Sequence, residues 1–173
     1  VWLEENGYVI GWVQDTMVWY SDPAQLAYYY LSMSSMPQIA VDDQGMVHAV
    51  WSSVTTLTDP DNYMLRHLFA RTSVDGGATW EEEITDITGD FLYTWTECVF
   101  PSMSPTSDNF WHLIFQGDDY AGALVQTPAQ GQTSSTENSM IYLKNYKWPV
   151  GTEEVPGAGK KILTVSGSFP NPA

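Results

Sequence analysis

Apolar and polar residues alternate over short stretches of this chain, and Gly, Pro, Asp, Asn and Ser cluster between those stretches. No segment sustains the 3.6-residue spacing of an amphipathic helix, so the pattern predicts strands and turns throughout. Pro37–Trp51 reads as strand, tight turn at Gly45, strand. Met64–Arg71 predicts a third strand, and Trp80–Ile87 a fourth.

The same pattern returns further along. Pro37–Trp51 lies over Pro101–Phe115 without a gap, at a constant offset of 64 residues (101 − 37). Ile39 then meets Met103, Gly45 meets Asn109, Val47 meets Trp111, His48 meets His112 and Trp51 meets Phe115. Gly and Asn are the residues that best tolerate positive φ, so both copies predict a turn at one point. Met140–Trp148 supplies the second copy's third strand, after a long polar loop from Asp118 to Ser139. A partial copy opens the chain, with Asn6-Gly7 as its turn, Tyr8–Val13 as a strand and Ala24–Leu31 as a further strand. Four antiparallel strands per repeat is the unit of a β-propeller. The expectation is an all-β protein, a propeller segment of about three four-stranded antiparallel blades. Residues 1–36 form a partial blade, 37–90 and 91–154 two fuller ones, and 155–173 a linker and tail. A propeller ring takes roughly four to eight blades, so this ring is incomplete and its remainder comes from the same or another polypeptide.

Composition agrees with strands: 8 Trp, 10 Tyr and 6 Phe favour pleated, half-buried surfaces. The formal charge of −15 repels phosphate backbones and anionic membranes, which excludes nucleic acid as a partner class. No apolar run reaches membrane-spanning length, so no membrane insertion is expected. Cys98 is the only cysteine, which rules out an intrachain disulfide and predicts a small buried side chain. Val1–Glu5 has neither a basic start nor an apolar stretch, so the chain reads as a piece of a longer, trimmed protein.

Ser73-Val74-Asp75-Gly76-Gly77-Ala78-Thr79-Trp80 resembles the Asp-box of sialidase-like propellers. Asp75 would accept turn amides, Gly76 and Gly77 supply positive φ, and Trp80 plug the hairpin into the blade. The resemblance implies a structural role between a third and a fourth strand, remote from catalysis. It also raises the question of a glycosidase. Sialidases hold the substrate carboxylate with three arginines, whereas this chain has only Arg66 and Arg71, five apart on one strand and so on opposite faces. No catalytic residue is therefore expected here. His48 and His112, at equivalent repeat positions, predict core histidines, and His67 has no better claim to chemistry.

Acidic turns are solvated by default, and a hard cation needs several converging oxygens. No cofactor is expected; if calcium binds, Asp59, Asp61 and Asn62, or Asp118 and Asp119, are the candidates. Candidate sugar-stacking aromatics are Trp19, Tyr20, Tyr93, Trp95 and Tyr120. The chain ends on Phe169-Pro170-Asn171-Pro172, which resembles the opening of the C-terminal sorting domain of the type IX secretion system. With the Asp-box it makes the chain similar to propeller-bearing surface proteins of Bacteroidota. That resemblance implies export to the cell surface and contact with secretion components. The expected function is a secreted, non-catalytic module that binds glycans or proteins, or scaffolds them. Two alternatives stand beside it: the C-terminal part of a sialidase-type exo-glycosidase whose catalytic residues lie upstream, and a structural subunit of a surface assembly completed by partner chains.

Overall fold

A computed structural model describes residues 26, 32–107, 110–122, 138–146 and 163–165. These are all-β, with no helix among the described residues, and form nine strands: β1 (Ser34–Asp42), β2 (Val47–Thr58), β3 (Met64–Ser73), β4 (Thr85–Asp86), β5 (Glu97–Met103), β6 (Thr106–Ser107), β7 (Phe110–Asp118), β8 (Ser139–Tyr146) and β9 (Leu163–Val165). One sheet has the order β4-β3-β2-β1-β6, the other β5-β7-β8-β9. Among these nine strands every pairing is antiparallel except that of the two-residue β6, which runs parallel to β1.

The two sheets repeat one register. Gln38↔Val50 and Ile39↔Ala49 in the first correspond to Ser102↔Ile114 and Met103↔Leu113 in the second. Both hairpins carry a bulge at the same place, between Ser35 and Gln38 and between Val99 and Ser102. The bulges hold Met36 and Phe100, two of the three described non-glycine residues with positive φ (57° and 52°). The third strands match as well, since Trp51↔Phe69 corresponds to Phe115↔Ile141. The expected offset of 64 residues is thus a repeat of backbone structure as well as of sequence.

Strand alternation puts Ala40, Val50, Leu68 and Ala70 on the inner face of the first sheet, packed against Cys98, Met103, Trp111, Leu113, Phe115, Ile141 and Leu143 of the second. The Ser52 hydroxyl also donates across to the Cys98 carbonyl at 3.1 Å. On the opposite face of the first sheet, Ala49, Trp51 and Phe69 are buried too, and the Trp51 and Phe69 rings stack at 6.4 Å. Eight consecutive residues of β2, Val47–Val54, are buried, which a sheet with one wet face does not allow.

Two expectations are corrected. The fourth strand does not run from Trp80 to Ile87 but is confined to Thr85–Asp86. The Glu81 amide still bonds to Thr72, after which the exposed Glu82 and Glu83 break the ladder, since adjacent like charges favour solvent over an edge. The two histidines also differ in fate: His48 is fully buried, whereas His112 is only half-buried on the outer face of β7, where Nδ1 sits 2.6 Å from the Tyr142 hydroxyl. The second copy's third strand is described as far as Tyr146; the remainder of the expected Met140–Trp148 strand, the turn expected at Asn109 and most of the opening partial copy lie outside the described residues, though Leu26 bridges to Met64.

Candidate binding site at the loop ends

Ser73–Trp80 form the turn between β3 and β4. Gly76 and Gly77 have φ of 72° and 97°. Asp75 Oδ1 accepts the Thr79 amide at 2.7 Å and the Ser73 hydroxyl at 2.8 Å, and Oδ2 accepts the Thr79 hydroxyl at 2.6 Å. The Thr79 hydroxyl, then its amide, then Ser73 hold the Asp75 carboxyl down to about 2. Trp80 is half-buried and stands outside the core cluster, so the carboxylate network, more than the indole, organises this turn.

The buried histidines serve as polar ties. His48 lies between the Thr72 hydroxyl (3.1 Å) and Asp42 Oδ2 (3.2 Å), with the Trp111 ring edge-on at 5.3 Å. His67 joins Asp86 Oδ2 (2.7 Å) to the Thr94 carbonyl (3.1 Å). The arginines are structural as well. Arg66 is 4% exposed and donates to the Ser32 and Met33 carbonyls, while Arg71 donates to the Glu81 carbonyl. Glu97, fully buried, accepts the Arg66 amide through Oε2. Burial raises the Cys98 thiol well above its ordinary value and also raises Glu81 and Tyr93.

The two acidic candidate groups come together at one end of the sheets. Asp59 is buried, and its Oδ1 accepts the Asp61 and Tyr63 amides at 2.9 and 2.8 Å. Its Oδ2 reaches across to the Ala121 amide at 3.0 Å, in the loop after β7. Asp118 caps the Tyr120 amide at 3.1 Å. Asn62 has a positive φ of 69°, and Asp61 and Asn62 are exposed. These carboxylates act as turn caps. Among the described residues no three His, Cys, Asp or Glu side chains gather as a metal site.

The same end carries the Asp90–Thr96 turn. It is fixed at three points: the Asp90 carbonyl accepts the Tyr93 and Thr94 amides, Tyr93 meets Phe115 edge-on at 5.7 Å, and His67 holds the Thr94 carbonyl. From this turn Phe91, Leu92 and Trp95 project with 96%, 52% and 64% of their surface exposed. Trp95 and Asp119 both line a cleft of about 470 Å³, together with Thr58, Asp59, Pro60 and Leu65. Asp119 also lines a second hollow of about 350 Å³, with Leu92, Tyr93, Ser139 and Ile141 among its other lining residues.

No family model, curated protein or solved structure matches the chain. Its function is therefore argued from its own geometry.

Of the stacking candidates, Trp95 is exposed in the cleft, Tyr93 is a half-buried anchor, and Tyr120 is half-buried beside Asp119. Trp19, Tyr20 and Phe169–Pro172 lie outside the described residues. Sequence reasoning assigned no role to Phe91 and Leu92. Their signal is the run Phe91-Leu92-Tyr93 placed in a turn, where an apolar run has no core to enter.

Proposed function

We propose that the chain is a binding or scaffolding module made of successive propeller blades, exported to the cell surface, with its ligand site at the loop ends. One observation carries this reading: the two repeats stack head to tail. The inner face of the first sheet uses Val50, Leu68 and Ala70, and the equivalent residues of the second sheet, Ile114, Met140 and Tyr142, point outward. In a sandwich with two-fold symmetry, equivalent faces would meet. Head-to-tail packing leaves a fresh copy of the same face at the end of each repeat, and it closes as a ring when each step rotates. Ile114 and Met140 are 46% and 50% exposed, as expected of a face prepared for the next sheet.

A non-catalytic role draws support from the arginines, both of which hold backbone carbonyls of the scaffold. Surface export rests on the resemblance of Phe169–Pro172 to a sorting signal. The test is the shape of the native full-length particle by negative-stain microscopy, with Ile114→Glu as the perturbation. A ring that Ile114→Glu opens is the expected result. A stable lone particle of 19.4 kDa, unaltered by Ile114→Glu, overturns the reading.

A further inference from the structure

We infer that the Trp95–Asp119 cleft binds a neutral oligosaccharide, with one sugar stacked on the Trp95 indole and the next held beyond Asp119. This rests on the binding-module reading and names the ligand class of that site.

The turn that presents Trp95 is built to be rigid. Its backbone is capped by Asp90, its Tyr93 ring is seated on Phe115, and its Thr94 carbonyl is held by a buried histidine. A tryptophan 64% exposed on so fixed a turn forgoes burial without gaining chain freedom, and a rigid amphipathic ring loses little entropy on binding. The segment that carries Asp119 is braced as well. Asp59 ties the β2–β3 loop to the loop after β7 through the Ala121 amide, so Asp119 stands on a braced segment.

The chemistry of the walls selects the ligand. A flat indole and a carboxylate lining one cleft match a pyranose, whose C–H face packs on the ring while its hydroxyls donate to the carboxylate. The cleft contributes Asp59 and Asp119, the adjoining hollow Asp118, and no Lys or Arg is among the described residues that line either. In a chain of net charge −15 this repels acidic sugars, sialic acid included. The two hollows of about 470 and 350 Å³ lie within the range of small-ligand sites, about 300–1,000 Å³, and share Asp119 as their divide. Two adjacent sugars of one chain would straddle it.

The test is affinity electrophoresis of the purified protein through gels containing soluble neutral polysaccharides (a β-glucan, a xylan and a mannan), with an acidic polysaccharide alongside. Retardation is expected in at least one neutral gel, none in the acidic one, and no change in 0.5 M salt, because no ion pair is formed. Trp95→Ala should weaken binding about tenfold or more, while Trp95→Phe retains part of it. Asp119→Ala should weaken binding and Asp119→Asn largely preserve it, since an amide still accepts hydroxyl donors. Unchanged thermal melting identifies folded variants, as expected for exposed residues. Absence of retardation in every neutral gel, or retardation that survives Trp95→Ala, overturns the inference while leaving the module reading intact. Release of reducing sugar during incubation overturns the non-catalytic reading, and Trp95 dependence of that release upholds the placement of the sugar.

Discussion

The Phe100 amide donates to Met36 Sδ at 3.1 Å, joining two residues 64 positions apart that occupy the same place in successive repeats. Both are left-handed, with φ of 52° and 57°. Equivalent points of the two repeats therefore touch where β1 meets β5. The β5 backbone also approaches β2 and β3 closely. The opposite edges, β4 and β9, are the outer ones.

Strain at that bulge can be relieved. The Phe100 side chain is half exposed, so Phe100→Gly sacrifices little packing while removing the Cβ clash of a left-handed backbone, about 1–2 kcal/mol. Glycine's extra freedom in the unfolded chain takes back about half to one kcal/mol. Urea titration should show Phe100→Gly level with or up to about 1 kcal/mol above the parent, a sign unusual for truncating a large residue.

His67 is 2% exposed, and its ring nitrogens face a carboxylate and a carbonyl. His67→Ala abandons both acceptors and frees the turn that carries Trp95. Chemical denaturation should report a loss of about 1–3 kcal/mol, discounted toward the lower end because Asp86 is partly exposed. The Thr94–Thr96 amides should lose hydrogen-exchange protection ahead of those of β2.

Asp59→Ala strips three backbone amides of one acceptor and unhooks the β2–β3 loop from the segment after β7. The expected destabilisation is about 2–3 kcal/mol by thermal or urea unfolding. Asp59→Asn should recover part of that loss, because Oδ1 still caps Asp61 and Tyr63.

The Asp75 turn sets a pH dependence of known sign. Its carboxyl is lowered in the folded chain to about 2, from an ordinary value of 3.8. The turn is therefore fully reinforced above pH 4 and loses this support as the pH falls through about 2. The Asp75 carboxyl carbon resonance followed by NMR should titrate near 2, and Asp75→Asn should abolish the acid dependence of Thr79 amide protection.

Cys98 is fully buried in the shared core, and burial keeps it in the thiol form. Alkylation with iodoacetamide should not proceed in the folded protein at pH 8, and should become rapid in denaturant with the unfolding transition.

Much of the architecture could be read from residue order alone. Alternation in Ile39–Trp51, a glycine at φ 81° in Gly45, and the agreement of Val47 with Trp111 and of Trp51 with Phe115 carry the hairpins and the repeat. Residue order alone overextends β4, because Trp80 and Ile84 suit a strand, while the decisive fact is that Glu81–Glu83 sit at a sheet edge. The divergence of His48 from His112 was equally hidden, because head-to-tail stacking buries a face in one repeat and exposes the same face in the next. Asp59 and Asp119 read as separate acidic turns. Only the tertiary fold brings residues 62 positions apart, Asp59 and Ala121, into contact.

The short parallel pairing of Val41 and Asp42 with Thr106 and Ser107 also has a meaning for synthesis. Among the described residues the Val41–Asp42 end of β1 has its partner on that side only in β6, so during translation this end waits for a segment more than 60 residues later before its ladder is complete.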